Sequence, residues 1–139
     1  MINTDKKFMK RIKSTTNYAV GDFLIRIKNS AMAQNKEVAV KSTKNIMAIA
    51  SALKKMGFVD NIRDEKGVLN LTLVFKNKKP RLMNLKLVSK PGLRVYMNVD
   101  ELESHKSPSV LLISTPKGVM SSLGAIKERT GGEVIAEIW

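Results

Sequence analysis

The apolar residues of this chain keep two different periods, and the change from one to the other sets the class of fold. Val20, Leu24, Ile27 and Ala31 recur at i, i+4, i+7 and i+11 with Phe23 alongside, the spacing of one helix face. Thr16 or Asn17 can cap that helix. Ile46, Ile49, Ala50, Leu53 and Met56 repeat the pattern in a second segment, opened by Ser42 or Thr43 and placed for Gly57 to end it. From Phe58 onward the period falls to two. "FVDNIRDEKGVLNLTLVF" reads as a hairpin turning near Asp64–Gly67, with Leu69, Leu71, Leu73 and Phe75 on one side of its second arm. With "VAV" at 38–40 as a short strand, this part runs helix, strand, helix, strand, strand.

Lys76–Pro80 is polar, basic and closed by a proline, which marks a boundary. Beyond it the signals are mostly strand. Met83, Leu85 and Leu87 alternate, "SKPGL" is a Pro-Gly turn and "RVYMNV" follows as a strand. "SVLLIS" is a buried strand, residues 121–129 allow one short helix, and the paired glycines of "TGGEVIAEIW" lead into a last strand. The expected fold is therefore α+β. An N-terminal α-β-α-β-β unit precedes a mostly β C-terminal unit with one short helix. Residues 1–17 hold little apolar content and read as a flexible arm. The 139 residues suffice for one well-cored domain or two small ones.

The net charge is +13, a field that attracts RNA, DNA or an acidic membrane surface. It is concentrated. Residues 1–17 carry +4, and residues 76–94, with seven basic side chains and no acid, carry +7. Two charged segments in an otherwise near-neutral chain point to a partner-facing surface. No apolar run approaches the ~20 residues that span a bilayer, and no secretory signal is expected. The chain has no cysteine, so it forms no disulfide framework.

Catalytic chemistry finds little support. His105, the only histidine, sits in the polar stretch "ESHKSP" and reads as a solvated loop residue. Neither a metal-ligand pattern nor a glycine-rich phosphate loop is present. Ser114 and Thr115 need a base beside them to act as nucleophiles, and Lys117 alone is a weak candidate. Binding fits better. In "ISTPKGVM" (113–120) two hydroxyls, a lysine and a glycine stand in a tight turn leaving an apolar strand. Hydroxyls can bond phosphate oxygens and 2′-hydroxyls, and a glycine lets a nucleic-acid backbone come close. An ordinary surface turn has the same composition.

"SKPGLRVY" (89–96), "ISTPKGVM" (113–120) and "GGEVIAEIW" (131–139) resemble, in order and spacing, the three signature stretches of the bacterial-type small ribosomal subunit protein eight family. "GDFLIRIKNSAMA" (21–33) is similar to that family's first helix, and "NIMAIASALKKMGFV" (45–59) to its second helix and following strand. The likeness spans residues 18–139. It implies two small domains, 18–79 and a β-rich rRNA-binding 80–139, after the extension 1–17. It implies a cytoplasmic, ribosome-bound structural protein without cofactor or metal. Such a protein binds the central domain of 16S-type rRNA early in platform assembly, beside neighbouring ribosomal proteins. Some members also bind their own operon's mRNA and repress its translation. A non-specific nucleic-acid-binding or RNA-chaperone module is the alternative.

Carried over by residue, the resemblance implies RNA contacts at Ser114, Thr115, Lys117 and Gly118, at Arg94 and Tyr96, and at Gly131, Gly132 and Glu133. Lys28 and Lys36 are the expected phosphate contacts of the first domain. Tyr96 has the shape to stack on a base or to fill a strand's core face, and Glu133 can accept from a base amino group or cap a turn. The chain departs from the family pattern at Pro116, where a second serine is usual. It departs again at Asn17-Tyr18, where Asp-Pro is usual, and in the extension 1–17, whose charge suggests contact with rRNA or a neighbouring protein.

Overall fold

The structure, a computed structural model, describes residues 18–105 and 108–139. The basic extension and the expected caps Thr16 and Asn17 lie outside the described residues. Helix α1, Ala19–Met32, has Tyr18 at its N-cap position with no capping side-chain bond, and buries Gly21, Phe23, Leu24, Ile27 and Ala31. Strand β1, Glu37–Lys41, leads to helix α2, Lys44–Met56. Of the two expected caps Thr43 is the one used. Its Oγ1 accepts from the Ile46 N–H at 3.2 Å, while Ser42 Oγ donates to Asp64 Oδ2. Gly57 ends α2 in the left-handed conformation, φ 88°, which its missing Cβ permits.

Strands β2, Val59–Glu65, and β3, Val68–Leu73, form the expected hairpin, and β3 pairs on its other side with β1. Leu69, Leu71 and Leu73 are buried, as their alternation required. The basic stretch read as a break is itself a hairpin: β4, Phe75–Lys76, pairs with β5, Lys79–Pro80.

The second sheet is antiparallel throughout. It contains β6, Leu85–Leu87; β7, Tyr96–Met97; β8, Val110–Thr115; β9, Gly118–Ser121; and β10, Gly132–Ile138. Its order is β6-β10-β8-β9, with β7 also on β10. Two expectations change here. Met83 does not join β6 and is 58% exposed, because its N–H and that of Asn84 bond the Trp139 carbonyl instead. "RVYMNV" is strand only at Tyr96–Met97. It then turns into helix α3, Val99–Ser104, so this half holds two short helices, the other being α4, Ser122–Lys127.

The larger core is continuous across the chain. Phe23, Leu24 and Ile27 of α1 and Ile49 and Leu53 of α2 pack in one cluster with Leu85, Leu112, Ile135 and Ile138 of the second sheet. Each fully buried leucine or isoleucine contributes about 1.5–3 kcal/mol relative to exposure. A smaller cluster of Leu102, Leu111, Ile113, Ala125 and Val134 fills the space under α3 and α4. The second sheet is thus covered on one face by the first half of the chain and on the other by its own short helices.

Candidate nucleic-acid interface

Strand β10 runs between β7 and β8, and Glu133 pairs with Tyr96 on one side and with Ser114 on the other. Directly paired residues project from the same face of a sheet. Tyr96, Glu133 and Ser114 therefore form a row across three strands, about 10 Å long at the usual strand spacing. Tyr96 stands 67% exposed at one end, so its ring is offered to solvent rather than to the core.

Arg94 reaches the middle of this row. Its Nη1 donates to Glu133 Oε2 at 3.2 Å, and its guanidinium carbon lies 5.1 Å from the centre of the Tyr18 ring, within cation–π range. Tyr18 precedes α1, so the guanidinium bridges the two halves of the chain. The Glu133 hydrogen bond pushes the arginine pKa further up. Burial raises that of Tyr18 by penalising the phenolate, and Glu133 adds to this while Arg94 opposes it. Beside this pair opens a cleft of about 330 Å³ whose polar lining includes Thr43, Asn45 and Ser114.

The "STPKG" turn joins β8 to β9, with Thr115 paired to Gly118. Thr115 is only 8% exposed. Its Oγ1 donates to the Gly118 carbonyl at 2.7 Å and accepts from the Lys117 N–H at 3.1 Å. That hydroxyl proton shapes the turn. Pro116 occupies the first corner, where its fixed φ suits the turn, and Gly118 has φ 123°. Lys117 leans away from the cleft: its Nζ donates to the Glu128 carbonyl at 3.2 Å, with Glu128 Oε2 at 3.7 Å.

The paired glycines serve close packing rather than a left-handed turn. A Cβ on Gly132 would run into the Ser114 carbonyl oxygen, and one on Gly131 would lie 2.5 Å from that of Met97. Lys90–Leu93 closes a turn with Gly92 at φ 85°. Fully buried Ser89 fastens it, its Oγ accepting from the Val95 N–H and donating to the Val95 carbonyl.

The ribosomal protein S8 family model matches residues 19–139. The chain belongs to the ribosomal protein S8 family. Among its relatives, the small ribosomal subunit protein uS8 of Nitratidesulfovibrio vulgaris (strain DP4) is 37% identical over 121 residues, covering 86% of this chain and 96% of the relative. The uS8 proteins of Spiroplasma kunkelii and of Trichodesmium erythraeum (strain IMS101) are each 40% identical, covering 86% and 88% of this chain and 96% and 98% of those relatives.

Within this S8-family chain, the residues expected at the interface are not all brought together. Tyr96, Glu133, Ser114 and Arg94 converge, and Thr115, Gly118, Gly131 and Gly132 frame them. Lys28 lies about 15 Å along α1 from Tyr18 at the usual helical rise. Lys36, exposed before β1, places its Nζ 5.8 Å from the Phe75 ring, at the far end of that strand. His105 is not freely solvated: its Nε2 lies 3.4 Å from Ser109 Oγ and 3.9 Å from Glu137 Oε2. Among the described residues no group of three or more His, Asp or Glu is placed to hold a metal ion, and no helix is long and apolar enough to cross a membrane. Sequence reasoning missed Tyr18 and Asn45 as neighbours of Arg94 and Ser114, since only the docking of the two halves joins them.

Proposed function

We propose that this chain is a structural constituent of the small ribosomal subunit that binds the central domain of 16S-type rRNA and helps assemble the platform. The observation that carries the reading is the row Tyr96–Glu133–Ser114 in strand register, exposed at Tyr96 and half-buried at Glu133 and Ser114. An aromatic face, a carboxylate and a hydroxyl stand in fixed order on a rigid sheet. Such groups can stack on an unpaired base, accept from a base amino group and bond a 2′-hydroxyl. Arg94 holds the Glu133 carboxylate and offers its remaining donors to phosphate. The "STPKG" hairpin and the two glycines hold Ser114 in place. Residues 80–139 act as the RNA-binding domain and 18–79 as the domain that buttresses it. Other ribosomal proteins are its neighbours, and an operon mRNA of similar shape competes for the same surface, giving translational autorepression.

The test is a titration over roughly 50–300 mM salt with a central-domain junction, a scrambled hairpin of equal length and duplex DNA. A preference for the junction of about 100-fold, about 2.7 kcal/mol, that persists at high salt is expected. Tyr96→Ala and Glu133→Gln should each lower it while leaving duplex binding nearly unchanged. Equal binding of all three probes, lost together as salt rises, would instead make the chain a charge-driven, non-specific module.

A further inference from the structure

The two tight hairpins of the first half share one backbone pattern and differ in the residues that fill its corners. In β2–β3 the two connecting residues are Lys66, φ 53°, and Gly67, φ 80°. In β4–β5 they are Asn77, φ 54°, and Lys78, φ 65°. Both follow the two-residue pattern with positive φ at each corner, which favours asparagine or aspartate followed by glycine. Asn77 suits its corner. Lys78, like Lys66 in the other hairpin, holds a left-handed conformation that a long L side chain rarely adopts; what sets the second hairpin apart is the lysines that flank its corner. The result is a short hairpin whose exposed tip carries Lys76, Lys78 and Lys79. Lys76 and Lys79 are directly paired, and Lys78 stands between them at the corner. Among the described residues no carboxylate lies within ion-pair distance of these three. No large apolar side chain is exposed at the tip, which disfavours a membrane or an apolar groove as partner.

We propose that hairpin β4–β5 is a preformed prong for RNA phosphates, a second contact separate from the Tyr96–Glu133–Ser114 row; it rests on the reading of the chain as an RNA-binding protein. A lysine stands at a corner that glycine would fill with less strain, between two further exposed lysines. Its side chain is an ammonium held out from the surface without an intramolecular partner. The prong lies at the Lys36 end of β1, roughly 20 Å along the chain direction from Thr43 in the cleft. The two sites can therefore engage different stretches of one folded RNA. A hairpin already paired at Lys76–Lys79 loses less freedom on binding than three lysines on an unpaired loop.

Lys78→Gly tests this, because it relieves the strain and removes the charge together. Its thermal melt and its titration on the complete central domain of small-subunit rRNA are compared with wild type. The melting temperature should rise by about 2–4 °C. Affinity near 100 mM salt should fall roughly threefold to tenfold, and the slope of log affinity against log salt should flatten by about 0.7–1. Lys79→Gln, which leaves the corner backbone untouched, should flatten the slope similarly without the gain in melting temperature. Unchanged affinity and slope in both variants would reduce the prong to a turn. A loss of incorporation into particles with an unchanged RNA slope would overturn the proposal in favour of an acidic protein partner. The wild-type preference for the central domain over a scrambled RNA, read in the same titrations, fails only if the main functional reading fails.

Discussion

Tyr18 shows how one side chain can join surfaces that are distant in sequence. It is the residue before α1, and its ring receives the Arg94 guanidinium that also holds Glu133. Gly21 leaves room for this: a Cβ there would lie 2.5 Å from the Tyr18 ring. The same packing makes the hydroxyl pH-sensitive. Burial penalises the phenolate, so the folded-state pKa stands above the ordinary 10.0. The folded state thus holds this proton more tightly than the unfolded chain does. The stability linked to it is complete below pH 10 and is lost as pH rises through the folded-state value. Unfolding free energies from urea titrations at about pH 9 to 11 should fall more steeply for wild type than for Tyr18→Phe. The phenylalanine keeps the ring under Arg94, and the lysines that titrate in this range are common to both proteins. Parallel curves would mean that the hydroxyl is as well solvated in the folded state as in the unfolded one.

Among the elements, α3 is the one that periodicity conceals. Tyr96, Asn98 and Val99 follow a stretch that alternates like a strand, and the helix is too short for its face to repeat. Its start is nonetheless written locally: Asn98 Oδ1 accepts from the Glu101 N–H at 2.9 Å, and Glu101 Oε1 accepts from the Asn98 N–H at 3.0 Å, a capping box. Asn98→Ala should cost about 1 kcal/mol in a denaturant titration while leaving α1 and α2 intact by circular dichroism. A change under a few tenths would show that packing of Leu102, not the cap, holds the helix. The contrast with α1, α2 and the β2–β3 hairpin is physical. Those elements bury a repeated face against one core, so their spacing announces them. The Tyr96–Glu133–Ser114 row depends on strands far apart in sequence, and its register emerges only when β10 inserts between β7 and β8. The row's residue types were legible in the three signature stretches, but their alignment was not. The role of Gly131 and Gly132 in letting those backbones approach was legible only as a turn.

At the scale of the whole molecule, the larger core runs through both halves and the cleft beside Tyr18 and Arg94 sits on the seam between them. Leu112 of β8 is fully buried in the same cluster as Phe23 and Ile49. A seam of this kind should make the halves unfold together, and the chain provides two independent reporters. Trp139, the only tryptophan, is tied to Asn84 at the end of the second sheet, so its fluorescence follows the C-terminal half. The long helices α1 and α2 dominate far-ultraviolet circular dichroism and follow the N-terminal half. The two transitions should coincide in a single cooperative unfolding. Leu112→Ala should cost about 2–5 kcal/mol and move both midpoints together, although the residue belongs to only one half. Midpoints that separate, or a mutation felt by tryptophan alone, would mean that the halves are stable apart. Arg94 would then reach Tyr18 across a mobile hinge, and the cleft would be shaped by RNA binding rather than presented ready-made to it.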